Sequence, residues 1–105
     1  MTPTEKLLKK EFKITSEEAL LKKIEIKEDS FFENNFFTDK SNYLKMIKEL
    51  CKSINDIGDD YSGYMEMVKS GSILHGSEAS AGFGSIQKEY REKRKQLKNH
   101  VRFFI

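Results

Sequence analysis

Seven cations fall within fifteen residues near the end of the chain: Lys88, Arg91, Lys93, Arg94, Lys95, Lys98 and Arg102. Only Glu89 and Glu92 oppose them, so this stretch carries +5 in a protein whose formal charge is +2. The remainder is therefore net −3, and between Asp56 and Glu78 five acids face a single lysine. Cations in this number neutralise phosphates, and Tyr90 among them offers one ring for stacking. Two features weaken a nucleic-acid reading. Glu89 stands four residues before Lys93 in the favoured order for a helical salt bridge, and the isoelectric point of about 8.6 falls short of the value above 9 that marks such domains. The opposed charges also suit an attraction between two parts of one chain or between two copies.

Nucleophilic and metal chemistry find little material. One cysteine excludes an internal disulfide and a cysteine-rich zinc site, and the two histidines, His75 and His100, lie too far apart for metal-ligand spacing. Any metal would have to be held by carboxylates. Cys51 falls on an apolar stripe with no base at a motif spacing, so it reads as a small buried hydrophobe. His100 reads as a favourable charge at a helix C-terminus. The Gly82-Phe83-Gly84-Ser85 run would present backbone N–H groups to a phosphate if it were a turn entering a helix, yet it lacks the lysine and hydroxyl of a P-loop. Asn55 to Glu66 has the length of a calcium loop but carries Ile57 and Asp60 where that loop needs an acid and a glycine. No catalytic constellation and no cofactor site emerges, and a non-enzymatic protein is expected.

Aromatic residues supply the other candidate surface. Phe31, Phe32, Phe36 and Phe37 crowd seven positions, and Phe103, Phe104 and Ile105 close the chain. Such clusters are either core or the anchors of an interface, because buried rings concentrate binding energy. The candidate partner-binding set is thus Phe31, Phe32, Phe36, Phe37, Phe103 and Phe104, together with Tyr90, Arg91, Arg94, Lys95, Lys98 and Arg102 of the basic stretch.

The elements that must position these residues follow from caps and periodicity. Thr2-Pro3-Thr4-Glu5 combines an N-cap hydroxyl, proline at the first helical position and a glutamate three residues after the cap, so a helix begins at Pro3 and ends near Lys13. Thr15 with Glu18 repeats the pattern for a helix over about 16–28, with Leu20, Leu21 and Ile24 inward. Ser30 with Glu33 repeats it again for a short helix or aromatic plug. Tyr43, Ile47, Leu50, Ile54 and Ile57 recur at helical spacing and predict a helix over 40–57, ended by Gly58. Asp59 or Asp60 would cap a further helix carrying Tyr61, Tyr64, Met65 and Val68, with Gly71 as its stop. Residues 70–85 hold four of the six glycines and read as a flexible loop, after which Ser85 caps a charged helix from Ile86 to His100.

The expected fold is therefore all-α: one domain over 1–105, a small bundle of four to five helices with a Gly/Ser-rich loop before a long charged C-terminal helix. With 105 residues, 37% apolar and 34% charged, the core must be thin. No run reaches a membrane span and the first residues lack a secretory signal, so a cytoplasmic protein is expected. Its expected task is to bind another protein, as an inhibitor, immunity-type or adaptor module does. A homodimer joined through the C-terminal helix is the favoured assembly. The alternative is a nucleic-acid-binding module using residues 88–102.

Overall fold

A computed structural model of the chain describes residues 1–69 and 78–105. Among these, five α-helices and a final 3-10 turn account for nearly every position, and no strand occurs. The fold is all-α. Helix α1 spans Pro3–Phe12, α2 Glu17–Glu25, α3 Asp29–Phe36, α4 Lys40–Lys69 and α5 Glu78–Val101, with the 3-10 turn at Arg102–Phe104.

The first helix forms as its caps dictate. Thr2 Oγ1 accepts from the Glu5 N–H at 3.1 Å, and Lys13 ends the helix in the left-handed region at φ 57°. Its predicted inward residues Leu7 and Leu8 are buried and Phe12 is half-buried. For α2 the cap is Ser16 and not Thr15, because Ser16 Oγ accepts from the Ala19 N–H. The helix also stops at Glu25, short of the expected 28. For α3 the cap position is Glu28, without a side-chain bond, so the Ser30 signature is not used.

The largest departure concerns Gly58. It does not end α4, and Asp59 and Asp60 are no caps: all three lie inside one continuous 30-residue helix. The reason is steric. A Cβ at position 58 would sit 2.6 Å from Pro3 Cγ and 3.2 Å from Tyr90 Cε1, so the glycine is a notch that lets α1 and α5 approach α4. Close packing outweighs the propensity of about 0.5–1 kcal/mol that disfavours glycine in a helix. A second correction concerns the region before α5. Helix α5 begins at Glu78, so residues 78–85 are helical and Ser85 is not a cap. The rest of the expected loop, 70–77 with the Gly71 stop, lies outside the described residues, as do the side chains of Tyr61, Tyr64, Met65 and Val68.

Helices α4 and α5 run antiparallel, since Tyr43 meets His100 at one end and the Gly58 notch meets Tyr90 further along. They form the long axis of a molecule 52 Å in extent, and α1, α2 and α3 pack along α4. The core is the surface they share: Leu7, Leu8, Ile14, Leu20, Ile24, Phe32, Tyr43, Ile47, Ile54, Leu97, Val101 and Phe104. The stripe read from α4 is thereby accounted for, with Ile57 alone half-buried at its edge. Ile14, two residues before the Ser16 cap, is buried in the same core.

Candidate functional site

Two regions carry the candidate side chains. At one end of the molecule the α2 terminus, α3, the start of α4 and the end of α5 converge. Lys40 Nζ donates to the Glu25 carbonyl at 3.0 Å and lies 3.8 Å from Asp29, which ties α4 to the α2–α3 junction. Phe36 is the hub of an aromatic cluster, stacked on Tyr43 at 4.4 Å between centroids and edge-on to Phe103 at 4.9 Å. Phe31 reaches Phe104 at 5.5 Å, and Phe32 is surrounded by Phe31, Phe36, Tyr43 and Phe104.

This arrangement divides the predicted set. Phe32 is fully buried and Phe104 nearly so, which leaves neither a surface to offer a partner and corrects their place among the binding candidates. They are core because α3 and the final 3-10 turn pack their rings against one another and against Tyr43. Phe31 and Phe36 are half-buried. Phe37 is 92% exposed, Ile26 80%, Ile105 65% and Phe103 48%. Phe37 also occupies the left-handed C-cap of α3 at φ 55°, a position that favours glycine or asparagine.

The second region is the basic helix. The acids at 56–60 and the cations of α5 form no ion pair with each other, and Lys40–Asp29 is the one salt bridge among the described residues. Among the described residues, direct pairing with Asp56, Asp59 or Asp60 therefore does not occupy the predicted basic set. Lys95, Arg91 and Arg102 are exposed, Lys98 is half-buried, and Arg102 donates to Asn99 at 3.0 Å. Gln87, Tyr90, Arg91 and Arg94 recur at helical spacing and line a cavity of about 180 Å³. The Arg94 guanidinium lies over the Tyr90 ring at 5.2 Å. A second cavity of about 250 Å³ opens between α4 and α5, lined by Met46, Glu49, Leu50, Ser53, Lys93, Gln96 and His100. Neither was legible from motifs, and the second needs the register between α4 and α5.

Burial sets the protonation state of three described side chains. Cys51 is buried, and burial, assisted by the Glu17 carboxylate, pushes its thiol up to about 12, far from a reactive thiolate. Burial also lowers the His100 pKa below its usual 6.5, so the expected charge at the α5 C-terminus is disfavoured, and Nδ1 instead pairs with Tyr43 Oη at 2.8 Å. Burial holds the Tyr43 phenol protonated. Gly82 to Ser85 lie within α5, beyond its first turn, where backbone N–H groups are committed to the helix and do not face a phosphate. Among the described residues no group of three or more His, Cys, Asp or Glu side chains is placed to hold a metal ion, and no helix is long and apolar enough to cross a membrane.

No known protein family, curated protein or solved structure matches the chain.

Proposed function

We propose that this chain is a small non-enzymatic helical module that binds another protein through its aromatic end. The observation that carries the reading is Phe37. A large apolar side chain stands 92% exposed on a left-handed backbone. That conformation costs on the order of 1–2 kcal/mol for a residue with a Cβ, and the ring gains nothing from burial to offset it. Strain retained without internal benefit points to use by a partner. Phe103, which packs edge-on against the neighbouring Phe36, is also 48% exposed, and exposed apolar side chains of this kind suit an interaction site. An inhibitor, immunity-type or adaptor role in the cytoplasm fits a module of this kind.

The decisive variant is Phe37→Gly, which relieves the backbone while deleting the ring. Cross-linking in the native cell followed by mass spectrometry should recover a partner with the wild type and lose it with the variant, although the variant is the more stable protein. Equal recovery by both would remove the reading. If the recovered partner is a second copy of the chain, the surface is that of a symmetric homodimer and sedimentation will show it.

A second reading, nucleic-acid binding by α5, is favoured by the absence of ion pairs, among the described residues, between its cations and Asp56, Asp59 and Asp60 of α4. Retention on DNA or RNA that falls steeply with salt would support it.

A further inference from the structure

The cavity on α5 has a chemistry of its own, independent of the aromatic end. Two arginines, Arg91 and Arg94, are among the residues that line a space of about 180 Å³, and none of its described lining residues is a carboxylate. The Arg94 Nε–H is buried and has no hydrogen-bond partner among the described residues. A charged donor left in this state is costly, and native proteins leave few of them. The Tyr90 ring lies against the Arg94 guanidinium at 5.2 Å, a cation–π contact that helps fix the position of the side chain.

We propose that Arg91 and Arg94 form a binding site for a phosphomonoester group. Charge selects the class. A phosphomonoester carries about −1.5 to −2 charges and three acceptor oxygens, which matches two guanidinium forks. A carboxylate or a phosphodiester brings one charge and leaves half of the pair unanswered. Size is consistent with a head group, since the cavity is smaller than the roughly 300–1,000 Å³ of pockets that enclose whole small molecules. The rest of the ligand must therefore lie outside, whether it is a phosphorylated side chain or a small phosphorylated metabolite.

The test is a titration of the full-length protein followed by the arginine Nε–H resonances in nitrogen-15 NMR, with ionic strength held by sodium chloride. Inorganic phosphate, glycerol phosphate and a phosphoserine peptide should each move the Arg94 signal along a saturable curve. Acetate should not. Arg91→Lys, which keeps the charge and loses the fork, should weaken binding about tenfold or more, the scale of one charge-assisted contact. Arg94→Gln should abolish it, and Lys23→Gln, exposed on α2 and outside the cavity, should leave it unchanged. If Arg94→Gln loses its helical circular dichroism, Arg91→Lys carries the test. Tighter binding of the peptide than of glycerol phosphate would identify a phosphorylated protein as the source, and the reverse a small molecule. An acetate response equal to phosphate, an absence of saturation, or tight oligonucleotide binding indifferent to Arg91→Lys would overturn the site. Phe37→Gly should not affect these curves, so failure here and failure of the protein-binding reading are separately visible.

Discussion

The two ends of the helical core are built on opposite terms. Where α1 meets α4, the joint is a set of internal hydrogen bonds. Thr4 is fully buried, its N–H donates to Asn55 Oδ1 at 3.0 Å and its hydroxyl to the Cys51 carbonyl at 3.0 Å, while Asn55 Nδ2 donates to Glu17 Oε1 at 3.1 Å. Three helices are joined by one short polar chain beside the Gly58 notch. Where α3 meets the end of α5, the joint is made of rings, and several of them remain in water. A polar joint has to be complete, because a buried donor without a partner costs about 1–3 kcal/mol. An aromatic joint can be left unfinished at much smaller local cost, and the unfinished part is what a partner can use.

The strongest way to break this comparison is through the core that both ends share. Ile54→Ala, at a fully buried position, should destabilise by about 2–5 kcal/mol in chemical denaturation, and Ile47→Ala similarly. Neutral values for both would mean that the α4 stripe faces something other than this core. The next largest effect separates the ends. Asn55→Ala should cost about 1–3 kcal/mol, since it orphans the Thr4 N–H, whereas Asn35→Ala, which removes an exposed bond to the Phe31 carbonyl, should stay within about 0.5 kcal/mol. Equal losses would show that the two joints are energetically alike. Gly58→Ala tests the notch directly: overpacking against the Pro3 ring costs about 1–3 kcal/mol and exceeds the helix propensity gained, about 0.5–1 kcal/mol, so the melting temperature should fall.

The same residues show what could be read in advance. Class, helix number and the α4 stripe were legible because apolar spacing of 3.6 is written locally in Tyr43, Ile47, Leu50 and Ile54. Gly58 was misread because glycine has two meanings, a stop and a close approach, and only the position of Pro3 and Tyr90 distinguishes them. Thr15 and Ser30 failed as caps since neighbouring residues could start the helix as well, and Ser16 did. For the candidate site, the aromatic cluster was visible as composition, but its division into buried Phe32 and exposed Phe37 required the α3 C-cap geometry. Asn55 gave no signal at all, because its partners are 38 and 51 residues away.

Two left-handed caps sharpen the contrast further. Lys13 and Phe37 are both non-glycine residues at positive φ, 57° and 55°. Replacing either with glycine should raise stability, by up to about 1–2 kcal/mol less the entropy that glycine adds to the unfolded chain. Similar gains are expected in denaturant midpoint. Only Phe37→Gly should also remove partner recovery, since Lys13 places a charged chain in water and Phe37 an apolar one. Loss of binding in both variants would mean that the caps act through the fold, and the aromatic end would lose its special standing.

The smallest expected effect is a dependence on pH at the aromatic joint. His100 pairs with Tyr43 across α4 and α5, and burial lowers its pKa below the 6.5 of the unfolded chain. Above pH 6.5 the imidazole is neutral in both states and contributes no slope. As the pH falls below that value the unfolded chain takes up a proton that the folded chain resists, so stability declines until the lowered native pKa is passed. Denaturant midpoints measured across this window should decrease on acidification in the wild type and show a smaller decrease in His100→Gln, which has no proton to gain. Phe36 stacks on Tyr43 and lies 5.7 Å from His100, so loosening this pair should reach the rings that flank Phe37 and Phe103. Partner affinity should then decline over the same window, whereas the Thr4–Asn55 joint at the other end holds no histidine and should keep its amide-exchange protection. Equal loss of protection at both joints would show that the proton acts on the whole fold and not on its aromatic end.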